Sequence, residues 1–319
     1  MAFSHWAYLN QSSSGAPRNS GTNGDLTALL QWALVTNSNW SSVYDDGLSP
    51  VKKRIWQPNG GGPVFMCNHD NAVSGGATLA LVRMAESQSG GTLTDPFPTV
   101  VQNADGTSNW MPSSAASTTT RDFHIVVWET GLIYASRASG TANTWEIGYL
   151  AKCDSRYGAA DSTYSWMIGN RNINTTAFTM LGQAGNPVPT IAVQRNFAMR
   201  NVLGTIKSEY CVPDYPLTTG GSGSFTGMPG ATSVPDAAFE RKKFLFHAAG
   251  TASGTTGALA SIDRFCVPFL WWLPTSTLVG FGETDVYTDA SGATFVLLKS
   301  GTNGMLLQTS NDWTGYPGG

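Results

Sequence analysis

The chain has 319 residues, 41% of them hydrophobic and 12% charged, with 36 glycines and a net charge of −3. The charged share is about half that of an ordinary soluble domain. The only basic runs are Lys52-Lys53-Arg54 and Arg241-Lys242-Lys243, which excludes a nucleic-acid footprint, and the length buries a real core without a disulfide framework.

The opening MAFSHWAYLN has neither the basic region nor the apolar run of a secretory signal. Next comes the one segment with a helical period, DLTALLQWALVT, whose Leu26, Leu29, Leu30, Ala33 and Leu34 fall at i, i+3, i+4, i+7 and i+8. The loop SGTNGD precedes it, with Asn23 or Asp25 expected to cap the first free N–H groups, and Asn37-Ser38-Asn39 ends it. A helix of this pattern covers a sheet.

Strand and turn patterns fill the remainder. Val64–Cys67 and Ala77–Val82 read as a hairpin around NHDNAVSGG, and Phe123–Trp128 and Leu132–Ser136 as a hairpin closed by Glu129-Thr130-Gly131. Strands are predicted at 145–150, 164–168, 190–194 and 243–246 from alternating β-branched and aromatic residues. A last hairpin joins Ala293–Leu298 to Met305–Thr309 through a second SGTNG, with Asn303-Gly304 supplying a type I′ turn. The apolar run from Cys266 to Leu273 contains a proline and is far too short to span a bilayer. The expected fold is mainly β, antiparallel and sandwich-like, with one N-terminal amphipathic helix packed on a sheet. The expected organisation is a single β-rich domain over 1–319, with Gly/Ser-rich insertions near 218–230 and 250–257.

Motifs for chemistry are sparse. Gly221-Ser-Gly223-Ser-Phe-Thr-Gly227 is one residue too long for a dinucleotide fingerprint and follows no βαβ pattern, and no Gly-Lys pair exists to build a phosphate loop. The four histidines, at 5, 69, 124 and 247, are scattered. Cys67, His69 and Asp70 are the one candidate metal cluster, although a single hairpin provides three ligands at most; a polar turn explains the same residues. No Gly-x-Ser-x-Gly elbow occurs. The carboxylates Asp45, Asp46, Glu129, Glu146, Glu283 and Asp285 carry no glycosidase signature of their own. Cys67, Cys153, Cys211 and Cys266 lack CxxC spacing and read as reduced, mostly buried thiols. No cofactor and no enzymatic activity is expected. Among 11 tryptophans, most belong to a core; Trp6, Trp271, Trp272 and Trp313, with Phe225, are the interface candidates, because buried aromatics dominate protein contacts and exposed ones stack on sugars.

The order of these segments resembles a family of virion structural proteins of tailed bacteriophages. The resemblance rests on Ala16-Pro17 followed by SGTNGDLTALLQWALV, on Arg83-Met-Ala-Glu86, on Pro96-Phe-Pro98, on Trp110 with Ser113-Ser114 and on the hairpin DFHIVVWETGLIYAS. It continues with Ser261-Ile-Asp-Arg264, the Pro-Phe-Leu-Trp-Trp-Leu-Pro segment, Gly280-x-Gly282 and the closing hairpin before Trp313. It departs from the family at Cys67-Asn68-His69-Asp70, at GGSGSFTG and at Trp271-Trp272. What it implies is assembly without catalysis: a subunit made in the host cytoplasm and located in the virion, in the tail or baseplate, whose partners are copies of itself and other virion proteins, with neither nucleic acid nor membrane insertion. The alternatives are a tail component that binds a host receptor or glycan and a capsid or collar decoration protein.

Overall fold

A computed structural model describes residues 2–70, 79–97, 109–139, 144–152, 154–155, 166–173, 178–179, 197–199, 210–213, 242–249, 265–272, 282–300 and 303–313. In most strands between 154 and 267 it describes the backbone alone. In chain order the elements are β1 (Ala7–Asn10), α1 (Asp25–Gln31) running on into one π-helical turn (Trp32–Thr36), β2 (Trp40–Asp45), β3 (Lys53–Pro58), β4 (Val64–Asn68), β5 (Ala80–Ser89), β6 (Thr92–Phe97) and β7 (Asn109–Trp110). Then come β8 (Phe123–Trp128), β9 (Gly131–Ser139), β10 (Thr144–Lys152), β11 (Asp154–Ser155), β12 (Trp166–Ile173), β13 (Phe178–Thr179), β14 (Phe197–Met199), β15 (Tyr210–Pro213), β16 (Lys242–Ala249), β17 (Phe265–Trp272), β18 (Val286–Thr288), β19 (Thr294–Ser300) and β20 (Asn303–Gln308).

These strands form three antiparallel sheets. The central one runs β1-β8-β9-β10-β12-β13, with β14 also on β12; a second runs β2-β3-β4-β5-β6, with β7 also on β5; the third runs β15-β16-β17-β20-β19-β18, with β11 on β17. The central sheet is buried on both faces, and its sequence shows why. Along FHIVVW, Phe123, Ile125 and Val127 face a core shared with the helix and the second sheet, while Val126 and Trp128 face a core shared with the third. Strand β9 repeats the alternation, Leu132 and Tyr134 to one side, Ile133 and Ala135 to the other. A strand alternating in this way with both sets apolar reads as a continuous hydrophobic run and belongs in the middle of a layered stack. The molecule is therefore mainly β, with sandwich-like sheets and one short helix.

The helix follows its leucine spacing: Leu26, Leu29, Leu30, Ala33 and Leu34 are fully buried between the central and second sheets. Burial of each leucine contributes about 1.5–3 kcal/mol before conformational entropy is set against it. The helical path ends where the Asn37 side-chain amide donates to the Trp32 carbonyl at 2.9 Å, satisfying one of the orphan carbonyls of a helix end.

Two turn assignments change. In the β8–β9 hairpin Trp128 pairs with Gly131, so the reversal holds Glu129 and Thr130 alone. Glycine is needed at 131 because a Cβ there would lie 2.1 Å from the Trp128 ring. In the β19–β20 hairpin Ser300 pairs with Asn303 and Lys299 with Gly304; Asn-Gly is strand, and the reversal comes before it. Strand 190–194 and the Gly/Ser-rich stretches near 218–230 and 250–257 lie outside the described residues.

Candidate functional site

The first SGTNG loop is the centre of a buried polar hub. Asn19 is fully buried. Its side-chain nitrogen donates to Ser136 Oγ at 2.8 Å, its oxygen accepts from the Tyr134 hydroxyl at 2.9 Å, and its backbone carbonyl accepts from Arg121 N–H at 2.7 Å. The Ser136 hydroxyl donates to the Pro112 carbonyl at 2.7 Å, and Arg121 Nε donates to Ser113 Oγ at 3.1 Å. Burial drives the Tyr134 hydroxyl pKa upward, with its contacts to Ser136 and Asn19 opposing it, so the phenol stays protonated and donates to Asn19. Gly21 donates to the Ser117 carbonyl at 3.1 Å, and a Cβ on it would stand 2.0 Å from the Ala115 carbonyl oxygen: glycine is the residue that lets two backbones touch. An aromatic run from Trp56 through Phe65 and Trp110 to Tyr134, with ring centroids 5.5, 5.6 and 5.9 Å apart, joins the hub to the second sheet. Segments 19–25, 110–121 and 134–136, which carry several of the sequence motifs, are thus one structural unit.

Neither expected side chain caps the helix. Gly24 is the N-cap, at φ 85° and without a side-chain bond. Asp25 accepts instead from Arg18 Nε at 2.7 Å and from Ser20 Oγ. The first-turn N–H of Leu26 is met by His69 Nδ1 at 3.3 Å, and the His69 carbonyl accepts from Gly24 N–H at 3.1 Å.

That accounts for two of the three metal candidates. Cys67 near the end of β4 and His69 just beyond the strand are both fully buried; Asp70 pairs with Lys52 at 3.3 Å. Burial, eased a little by Thr27, pushes the Cys67 thiol up to about 12, the behaviour of a neutral thiol packed in a core. Burial also lowers His69 to about 4 against the opposing pull of Asp25 and Asp70. Cys67 and His69 dock the helix on the second sheet, Asp70 ties this segment to Lys52, and no group of three His, Cys, Asp or Glu suited to a metal occurs among the described residues.

The carboxylates are likewise engaged. Asp45 pairs with Arg54 at 3.6 Å, Asp46 accepts from the N–H groups of Leu48, Lys52 and Lys53, and Asp285 accepts from Gly282 N–H at 2.6 Å. Glu283 accepts from Trp145 Nε1 at 2.8 Å and pairs with Arg137 at 3.2 Å. Glu146 is buried on the central sheet. Glu129 accepts from the backbone N–H groups of Ser4 and His5, at 3.2 and 3.4 Å.

Of the interface candidates, Trp271 and Trp313 are only 8% and 1% exposed. Trp271 donates to Gln308 Oε1 at 2.9 Å and meets Trp313 edge-on at 5.5 Å. Both are core residues of the third sheet, because β17 and the segment after β20 face the central sheet there. Trp6 is half-buried, 6.2 Å from the Phe269 ring. The side chain of Trp272 and all of Phe225 lie outside the described residues. Of the other tryptophans, Trp40, Trp56, Trp110, Trp128, Trp145 and Trp166 are buried and Trp32 is half-buried.

Sequence reasoning passed over Asn19, Tyr134 and Ser136. The two polar residues in the apolar strand LIYAS were the available signal, since a buried polar group needs a partner. It also passed over Asn311, which holds the backbone of Phe3 from both sides, accepting from its N–H at 2.8 Å and donating to its carbonyl at 2.7 Å; a contact across 308 positions leaves no local pattern. Compared with known proteins, the chain matches no family model and no curated protein.

Proposed function

We propose that the chain is a structural subunit of a tailed-bacteriophage particle, in the tail or baseplate, that works by protein–protein assembly and without catalysis. The observation that carries this reading is the ordered string of motifs from Ala16-Pro17 to Trp313, of which the first SGTNG loop, the Trp110 to Ser114 segment and the β8–β9 hairpin meet around Asn19. The low charge of the chain, 12% of residues, supports it: uncharged faces cost little to desolvate when copies meet. Engagement of the candidate carboxylates and of Cys67, His69 and Asp70 in hydrogen bonds, ion pairs and core contacts supports it too.

A receptor- or glycan-binding role would draw on aromatic platforms open to solvent. Among the described tryptophans the most accessible, Trp6 and Trp32, are half-buried, and this favours assembly. The test is mass spectrometry of purified particles of the phage whose genome encodes the chain. The expected result is the chain among the virion proteins in stoichiometric amount; its absence from the particles, with the protein found only in the infected-cell lysate, would overturn the reading.

A further inference from the structure

The segment from Phe3 to Asn10 is an arm. It has no formally charged side chain apart from the titratable His5, its last four residues form β1, and β1 has one neighbour, β8, at the edge of the central sheet. Its first four residues pair with no strand. They are held in a cleft by side chains from three distant segments: Asn311 takes both backbone polar groups of Phe3, Glu129 accepts from Ser4 and His5, and Ser38 Oγ donates to the His5 carbonyl at 3.1 Å. Side chains that read the main chain of an extended segment, beside pockets for its alternate side chains, are how peptide grooves work.

The pocket is aromatic and built at some cost. Phe3 lies 5.4 Å from Phe269 and 5.9 Å from Trp128, and Trp6 also rests on Phe269. Phe269 has a left-handed backbone, φ 64°, where the pairing of β17 with β16 slips between Lys243 and Leu245. A bulge re-aims a side chain, and a non-glycine residue at positive φ persists only where its surroundings hold it there. Here the re-aimed ring meets two of the arm's aromatics, Phe3 and Trp6.

Past Asn10 the chain leaves through Gln11-Ser12-Ser13-Ser14-Gly15, a turn with local bonds from Ser13 N–H to the Asn10 carbonyl at 3.0 Å and from Asn10 N–H to Ser13 Oγ at 2.9 Å, and with Gly15 at φ 73°. If that turn opens, the arm of one copy makes the same contacts in the cleft of another, so exchange forfeits only the turn and the hydrogen bond that Gln11 Oε1 accepts from Phe123 N–H at 3.3 Å.

We propose that this cleft is an arm-recognition site and that, in the assembled protein, it takes the Phe3–Asn10 arm of a second copy of this chain. The inference rests on the assembly reading and adds the contact that joins the copies. The test places the photo-crosslinker p-benzoylphenylalanine at Phe3 of the full chain, mixes isotope-labelled and unlabelled protein after dilution to monomer and reconcentration, and maps the crosslinks by mass spectrometry, with sedimentation of the same samples in parallel. If the probe at Phe3 hinders folding, Trp6 takes it instead. The expected result is crosslinks to peptides containing Trp128, Phe269 or Asn311 that join labelled to unlabelled chains, rising with concentration toward about half of the total, the random-mixing limit for exchanged arms. Same-isotope crosslinks alone in a sample that sediments as oligomers would overturn arm exchange and leave assembly standing, as would mixed crosslinks to peptides outside the cleft. Same-isotope crosslinks in a sample that stays monomeric at every concentration would overturn both.

Discussion

Among the described residues, burial shifts two histidines, His69 and His124, well below their ordinary pKa. His124 is packed against Tyr8 and Trp145, bonded to the Tyr8 hydroxyl at 2.7 Å, and burial lowers its pKa to about 4 despite Asp122; His69 is lowered to about 4 in the same way. Each is neutral when folded and takes up a proton near pH 6.5 when unfolded. The unfolded state therefore binds more protons between these values, and stability is lost as pH falls from about 6.5 to about 4, on the order of 3 kcal/mol for each histidine. Thermal unfolding measured across that window should show a falling midpoint, and His124→Gln should flatten the slope; an unchanged slope would mean that His124 is solvated. Glycines give a second expectation. Gly21→Ala meets a backbone carbonyl at 2.0 Å and Gly131→Ala the Trp128 ring at 2.1 Å, whereas Gly47→Ala, at φ 65°, meets nothing within 4 Å. Denaturant titration should order the losses Gly21, Gly131, Gly47, with Gly131 near the ~1–3 kcal/mol of overpacking and Gly47 near ~1 kcal/mol of backbone strain.

Elements here are joined by polar contacts as much as by packing. The Asn19–Tyr134–Ser136 hub links the loop before α1 to β9, so Asn19→Ala and Tyr134→Phe should each cost about 1–3 kcal/mol by leaving a buried partner unsatisfied. Because the two share a bond, a double-mutant cycle by urea unfolding should show coupling of ~0.5–3 kcal/mol; additive losses would mean that the hub is not one network. How far the elements were legible follows the range of the signal. Helix α1 and the β8–β9 hairpin were plain, because leucine spacing and an apolar hexapeptide are local patterns. The Asn-Gly turn was misplaced by a residue pair because its strand register is fixed by packing on both faces of the hairpin. The helix cap was missed because its acceptor, His69, lies 43 positions away, just past β4. The cluster around Cys67 was visible as residues, but which of them meet the helix depends on how the chain turns at the end of β4. The division of the strands into three sheets left no mark in local sequence, since β1 pairs with β8 across the whole second sheet.

At the scale of the molecule, two hydrophobic cores share the central sheet, and the polar surface is largely uncharged. Association of such surfaces responds weakly to ionic strength, because few ion pairs form across them to be screened. If the isolated chain carries what it needs to assemble, sedimentation velocity over a wide concentration range, at low and at high salt, should show species well above the 33.8 kDa monomer that grow with concentration and persist at high salt; a single 33.8 kDa species at every concentration would rule self-assembly out.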